Sequence, residues 1–397
     1  MPSSLKVLKW RAYHLWLSVL VWKIRRKRVI KFGFLVQELT QWKTESLYRL
    51  MLKHPRFEPI LCVSPSLGYP GAENALIDYC QKQGYSYFLL DPDKTIGEQI
   101  DVDIVTPQKP YEKEMHAAHQ IDKNKRIPYV VIQYYLSTIT EEWVVNQRLN
   151  FLCWRQFVEN ESCREAWSKV HRLKGLTYRV TGVPVMDELL TSKESLDDVW
   201  PNKDDRKRII YAPHHTIADM HWKGIGYSTF LENCQFMLEM RDKYKDKVYF
   251  VFKPHPSLRN RLIRLWGEGK TDEYYQMWEK EGYSSLETGK YLSLFKYSDA
   301  MIHDCGSYTV EYMYTGNPVM YLVREESHAD NMVPYAREAF NLHYKGRIQE
   351  DIEMFILDVI EGRDELKEKR ARFKEQYLLP PNGKTASENI IDSILGE

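Results

Sequence analysis

Two short stretches carry side chains suited to holding and transferring a phosphorylated group: KPHP at 253–256 and HDCGS at 303–307. KPHP follows the apolar run Val248 to Phe252 directly, so Lys253 and His255 should stand at the C-terminal end of a buried strand, where open α/β sheets bind ligands. Pro254 and Pro256 fix φ and remove two backbone donors, which would hold the imidazole rigidly. In HDCGSYTVEYMYTGNPVMYLV a strand should end at Asp304 and a helix begin at Ser307, its N-cap, with Gly306 allowing close backbone approach. Free N–H groups there, with the Ser307 and Thr309 hydroxyls, would bind a phosphate or pyrophosphate. Asp304 would repel such a group unless held by His255, His303 or a ligand hydroxyl, so it reads as an orienting residue. Each stretch alone also fits an ordinary loop or strand-to-helix junction; the pairing points to a site.

Other candidates are weaker. YAPHH (211–215) ends a strand, and His214 or His215 would serve as acid, base or phosphate donor. Asp101 and Asp103 form a DxD at a strand boundary and receive no role. His116 and His119 lie three apart on a predicted helix and read as a solvated face. No GxGxxG, GxxxxGK[ST] or GxSxG occurs, which argues against a dinucleotide oxidoreductase, a P-loop enzyme and an α/β-hydrolase.

The elements that must position these residues are legible as alternation. Strand-length apolar runs occur at 29–36, 57–65, 85–91, 102–108, 127–134 and 149–157, with helical stretches between, notably Thr44 to Lys53 and Ala72 to Gln83, the latter ending at Gly84. VTGVPVMDELL (180–190) closes this half. The polar stretch 191–207 reads as a linker, and strands restart at 208–215, 248–256, 283–287, 299–304 and 318–323. The expected architecture is α/β: a Rossmann-like acceptor domain over 29–190, a Rossmann-like nucleotide-donor domain over 208–379, and a crossing helix over 380–397.

A net charge of +1 gives no global field for gathering a nucleic acid, so any anion site must be local. The six cysteines form no CxxC pair, which suggests neither a zinc knuckle nor a disulfide framework and fits a reducing, cytoplasmic compartment. In residues 1–28 the uncharged stretch Ala12 to Trp22 is too short to span a bilayer, which needs roughly 20 apolar residues. Its tryptophans and the basic residues from Lys6 to Arg28 suit a helix lying on an anionic membrane surface; a first helix packed on its own domain is the other reading.

The second half resembles the CDP-glycerol glycerophosphotransferase family of teichoic-acid polymerases and primases. YAP (211–213) looks like the family's opening strand motif and KPHP like its basic-x-His-Pro motif. HDCGSYTVEYMYTGNPVMYL is similar without a gap to TDYSSVxFDYxxxxxPxxxY, and GKTASENIID (383–392) resembles the C-terminal helix. The resemblance implies a GT-B fold, two Rossmann-type doubly wound domains facing a central cleft. It makes His255 a donor-site histidine, Asp304 and Ser307 diphosphate-site residues, and Glu311 the following acidic residue. Cys305 and Gly306 replace the family's Tyr-Ser, Arg259 approximates an arginine after His-Pro, and the N-terminal Trp-His-Gly motif has no counterpart in 127–139. The implied reaction moves glycerol phosphate, or a related polyol or sugar phosphate, from a CDP-activated donor to a hydroxyl of a cell-surface glycan or lipid-linked acceptor, releasing CMP. In it Lys253, Arg259, Gly306, Ser307, Thr309 and Glu311 would bind the donor, His255 and Asp304 would act at the diphosphate with His214 as substitute base, and no metal or cofactor is required. A GT-B glycosyltransferase using a nucleotide sugar and a non-catalytic nucleotide- or glycan-binding scaffold are the alternatives.

Overall fold

Thirteen strands were identified among the described residues of the computed structural model, which describes residues 4–140, 142–191, 195–217, 226–280, 282–287 and 291–397. By their internal contacts they fall into two units, one comprising 1–187 with 379–397 and the other 188–378.

In the first unit β1 (Ile30–Val36), β2 (Phe57–Val63), β3 (Tyr87–Leu89) and β4 (Ile104–Pro107) form a parallel sheet of order β3-β2-β1-β4. β5 (Val130–Ile132), β6 (Arg155–Val158) and β7 (Tyr178–Val180) form a second parallel group. A parallel bridge from Val105 to Tyr129, with the Val105 N–H on the Pro128 carbonyl at 3.0 Å, joins them into one seven-stranded arrangement. The expected run 149–157 divides: a short helix occupies Arg148–Leu152 before β6 begins. Apolar content alone could not separate a buried helical turn from a strand there. Gly84 ends the helix Glu73–Gln83 in the left-handed region, φ 67°, as its position predicts.

The first helix, Ser4–Ile24, joins this unit's core through Leu17, Val21 and Ile24. The opposite face exposes Leu8, Leu15, Trp16, Val19 and Trp22, so the helix is apolar on two sides. The segment packs on its own unit, and its outward side carries an apolar stripe. No helix among the described residues is long and apolar enough to cross a membrane. The last helix, Ala386–Leu395, also belongs to this unit; buried Asp187 accepts the Ala386 and Ser387 N–H groups at 2.8 and 2.9 Å, capping it from a distant part of the chain.

The second unit holds β8 (Lys207–Ala212), β9 (Val248–Phe252), β10 (Ser284–Leu286), β11 (Ala300–His303), β12 (Val319–Leu322) and β13 (Tyr344–Gly346). The order is β10-β9-β8-β11-β12-β13, all parallel. Numbered within the unit this is 3-2-1-4-5-6, the dinucleotide-fold order, whose switch point lies between β8 and β11. β13 has no apolar run to announce it. The expected linker is only in part a linker: residues 192–194 lie outside the described residues, but Leu196–Val199 is helical, and buried Trp200 donates its indole N–H to the Leu294 carbonyl at 3.1 Å. That stretch is packed into the second unit.

Candidate active site

The C-terminal ends of β9, β8 and β11 lie side by side and carry, in turn, KPHP, APHHT (212–216) and DCGS (304–307). KPHP continues β9 beyond its formal end. The Lys253 N–H donates to the Tyr211 carbonyl at 2.8 Å and the His255 N–H to the Pro213 carbonyl at 3.0 Å. The two prolines occupy the alternate positions, whose donors face away from β8, so the motif keeps every bond to that strand. This brings His214, His215 and His255 together. Ring centroids are 4.2 Å apart for His214 and His215, 4.2 Å for His215 and His255, and 5.1 Å for His214 and His255.

The neighbours of these rings fix where their protons sit. The Ser257 N–H donates to His255 Nδ1 at 3.1 Å, which makes Nδ1 an acceptor and leaves the proton on Nε2. His214 Nδ1 accepts the Thr216 N–H at 3.4 Å and lies 2.9 Å from the Thr216 hydroxyl, itself an acceptor from the Tyr227 N–H at 2.8 Å. That pattern again puts the proton on Nε2. The ligating atoms of the three histidines come within 4.8 Å of one another, close enough to share a metal ion. An Nε2–H cannot ligate, however, and metal-bound histidines donate from the other nitrogen instead of accepting there. The pair presents N–H donors, which suits an anion.

Burial pushes all three imidazoles toward neutrality: His214 to about 2, His215 to about 4 and His255 to about 3, with the Arg261 guanidinium acting in the same direction on each. Unfolded, each would protonate near pH 6.5. Between pH 6.5 and about 4 the unfolded chain therefore binds more protons than the native one, so this stability is complete above pH 6.5 and is lost on acidification. Asp304 has the opposite sign, pushed up to about 7 by full burial, but it is one group against three. The four together should lower stability by about 3 kcal/mol per pH unit over that window. Urea melts at pH 7, 6 and 5 check this; a midpoint that stays constant or rises on acidification contradicts it.

Asp304 is wholly buried, and its oxygens are already engaged. Oδ1 accepts the His214 N–H at 2.5 Å; Oδ2 accepts the Thr229 N–H at 2.6 Å and the Thr229 hydroxyl at 3.1 Å. It is bound to neither His255 nor His303, as sequence reasoning supposed, but to the backbone of two loops. It orients the site by tying β11 to the loop after β8 and to the start of the helix Phe230–Lys243.

The DCGS turn departs from expectation in three ways. Ser307 is already helical (φ −67°, ψ −40°) and makes no side-chain cap bond; its hydroxyl lies 3.3 Å from the Cys305 sulfur. The α-helix is only Tyr308–Glu311, continuing as a 3-10 turn over Tyr312–Thr315, so little macrodipole accumulates. The buried Thr309 hydroxyl donates to the Cys305 carbonyl at 3.4 Å instead of facing a ligand. Gly306 needs no left-handed backbone, and a Cβ there would meet only the Tyr227 ring at 3.6 Å, an ordinary contact. Gly306→Ala should therefore leave the melting temperature unchanged while raising KM for the donor about tenfold, the ~1.4 kcal/mol of a displaced contact. Circular dichroism melts and steady-state kinetics separate the two effects.

Lys253 is buried, with its ammonium 5.9 Å from the Tyr291 ring centre, and Tyr291 hydrogen-bonds Glu311, itself buried. Arg259 is turned to Asp272, 2.5 Å away, and is not a spare cation. It helps line a cavity of about 320 Å³ beside His255, with Asp272, Tyr275, Gln276 and Glu279 on its walls. Sequence reasoning missed Arg261 and Thr229. Only Thr229 left a signal, as part of a Ser-Thr pair at the start of a helical stretch.

The residues passed over in the first half sit differently. Asp101 and Asp103 lie at the entry to β4, at the opposite end of the sheet from the ligand-binding end, paired with Lys31 and Lys27. His116 and His119 are not on a solvated helix. His119 ends the 3-10 turn Ala117–His119, is fully buried, and bonds the Ser64 hydroxyl at 3.0 Å and the Asp91 carbonyl at 3.1 Å.

With this geometry in place, comparisons give the fold and the family. The chain is similar to UDP-GlcNAc 2-epimerase from Neisseria meningitidis bound to UDP-GlcNAc, at 18% identity and TM-score 0.61, covering 93% of this chain and 100% of that one. It is similar to UDP-GlcNAc 2-epimerase from Methanocaldococcus jannaschii, at 14% identity and TM-score 0.57, covering 92% and 99%. A variant of the wall teichoic acid polymerase TagF matches at 14% identity and TM-score 0.59, covering 99% and 98%. At these identities the likeness shows the fold alone, and that fold is GT-B-like, with two parallel α/β units. A search of curated proteins found no match. The profile of the CDP-glycerol:poly(glycerophosphate) glycerophosphotransferases matches residues 118–396. That match covers well over half of the sequence and all of the second unit, and the chain accordingly belongs to the CDP-glycerol:poly(glycerophosphate) glycerophosphotransferase family.

Proposed function

We propose that the protein transfers glycerol phosphate from CDP-glycerol to a hydroxyl of a glycan or lipid-linked acceptor. The observation that carries this reading is the pair of Nε2–H donors, His214 and His255, at the switch point of the second unit. The acceptor hydroxyl oxygen attacks the phosphorus that bears glycerol, a new P–O bond forms, the P–O–P bridge breaks, CMP leaves with the bridging oxygen, and the hydroxyl proton passes to water or to the departing phosphate. The two imidazoles donate to diphosphate oxygens in a partly desolvated site, where such bonds gain most as charge develops on the leaving phosphate. The cavity beside His255 suits the nucleoside, with Asp272 and Glu279 as acceptors for ribose hydroxyls and Tyr275 as an apolar wall. Family membership supports a nucleotide-activated donor and a glycan acceptor. No metal or cofactor enters this scheme. Purified protein given CDP-glycerol and a matched acceptor should release CMP; release of a nucleoside diphosphate from a nucleotide sugar instead would transfer the assignment to glycosyl transfer.

The same reading places the protein at the cytoplasmic face of an anionic membrane. Support comes from the exposed stripe Leu8, Leu15, Trp16, Val19 and Trp22 beside Lys6, Lys9, Arg11, Lys23, Arg26 and Arg28, apolar and basic together. Replacing Trp16 and Trp22 by Ser should weaken binding to phosphatidylglycerol vesicles at least about tenfold, ~1.4 kcal/mol or more. The melting temperature should hold, since both indoles are largely exposed (42% and 52%). Sedimentation with anionic and zwitterionic vesicles checks it, and undiminished sedimentation contradicts it.

A further inference from the structure

The first unit contains a second concentration of positive charge, remote in sequence from the histidines. Arg155 opens β6 and Arg179 lies within β7. Phe157 is the register partner of Arg179, and Arg155 is two residues before Phe157, so both arginines project from the same face of the sheet. Arg25, just past the end of the first helix, joins them in lining a cavity of about 380 Å³, together with residues of the C-terminal segment. The volume is that of a small-ligand site.

The charges in this cavity are unbalanced. Among the described residues none of the three guanidiniums is ion-paired with a carboxylate. Arg155 donates to the Trp154 carbonyl at 3.2 Å, Arg179 to the Tyr178 carbonyl at 2.6 Å, and Arg25 to the Ile394 and Ser393 carbonyls at 2.8 and 2.9 Å. Each uses only part of a five-donor fork. The acidic residues on the wall are Asp392, already bonded to Lys384 at 2.6 Å, and Glu397. Burial, and to a lesser extent the neighbouring Arg179 and Arg25, pull Arg155 down to about 10. The Arg25 and Arg155 guanidinium carbons both lie over the buried Trp154 indole, 5.5 and 5.0 Å from its ring centre, close enough for a cation–π contact.

We propose that this pocket binds the phosphate of a phosphomonoester or phosphodiester, the group whose oxygens match several arginine forks and whose charge relieves their repulsion. The source is either an anionic lipid headgroup or a soluble polyol phosphate. Arg25 belongs to the basic run that follows the exposed apolar stripe, so both sources meet the same chemistry. The site is independent of the donor reading, since every residue in it belongs to the first unit.

The test uses the full chain, inorganic phosphate as probe, and Arg155→Met and Arg179→Met as separate variants, with His255→Ala as the control for phosphate held in the second unit. In phosphate-free buffer Arg155→Met should melt at or above the wild-type temperature, because a repelling charge is removed and its packing stem is kept. A purely structural arginine would lower it. The rise in melting temperature with phosphate should shrink by more than half in each variant, with a calorimetric affinity at least tenfold weaker, while His255→Ala keeps the response. Phosphatidylglycerol vesicles that displace phosphate from the wild type identify the lipid source; vesicle binding that survives in both variants after phosphate binding is lost identifies the soluble one. The proposal is overturned if the wild type shows no phosphate response, if both arginine variants keep it entire, or if His255→Ala alone abolishes it.

Discussion

His255→Ala is expected to lower kcat for donor turnover by about 10²–10³, the loss typical of removing one preorganised donor to a developing anion. The expectation rests on the Ser257 N–H, which holds Nδ1 as an acceptor and so aims Nε2–H outward. His255→Gln extends an amide N–H to nearly the same point and should recover part of the loss, whereas His255→Asn is too short to do so. That ordering is the diagnostic, because a histidine serving only to pack KPHP would be replaced equally well by either amide. The pH profile gives a second sign. With His255 held near 3 and His214 near 2, kcat/KM should show no acid limb near pH 6.5 from these groups. A limb at pH 6.5 that vanishes in His255→Ala would mean that His255 acts as a base of ordinary pKa. Initial rates of CMP release at saturating and limiting donor, from pH 5 to 8, measure both.

Much of this arrangement can be read from the chain. Buried parallel strands announce themselves as continuous apolar runs, so β8, β9, β11 and β12 and the placement of KPHP and DCGS at strand ends follow from pattern alone. What could not be read was set by contacts between residues distant in sequence. Asp304 was recognised as an orienting group, but its partners, His214 and Thr229, are 90 and 75 residues away, and no local signal joins them. The three-residue spacing of His116 and His119 suits a helix surface. Burial beneath Ser64 and Asp91 overrides that local pattern. The stretch 191–207 is polar enough to read as a linker, yet buried Trp200 and the Arg206 bonds to the Lys245 and Gly282 carbonyls anchor its second half. The arginine pocket was invisible for the same reason, since Arg25, Arg155 and Arg179 meet only when the first helix and two strands are assembled.

Asp304→Ala should be the most damaging single change in the second unit, and its effect should appear in stability as well as rate. The substitution leaves the His214 and Thr229 N–H groups buried without an acceptor, and each orphaned donor costs ~1–3 kcal/mol, for a total near 4 kcal/mol. Asp304→Asn keeps the shape but turns an NH₂ toward one of those N–H groups, so it should lose at least half as much and rescue little. Burial already favours the protonated carboxyl, pushed up to about 7, so the bonds from His214 and Thr229 matter most to the ionised form. Because the folded carboxyl holds a proton that the unfolded chain has already lost, wild-type stability falls as pH rises toward 7, and the stability gap between wild type and Asp304→Asn should narrow between pH 6 and pH 8. Urea unfolding of the three proteins across that range tests the claim; an Asp304→Asn variant as stable as wild type at pH 6 would remove the carboxylate from its place as the tie among these loops. If the tie is real, lost activity in Asp304→Ala should come with a raised KM for the donor as well as a lower kcat. Releasing the loop after β8 frees His214 without touching His255, so the donor would lose one of its two proposed contacts in the ground state as well as in the transition state.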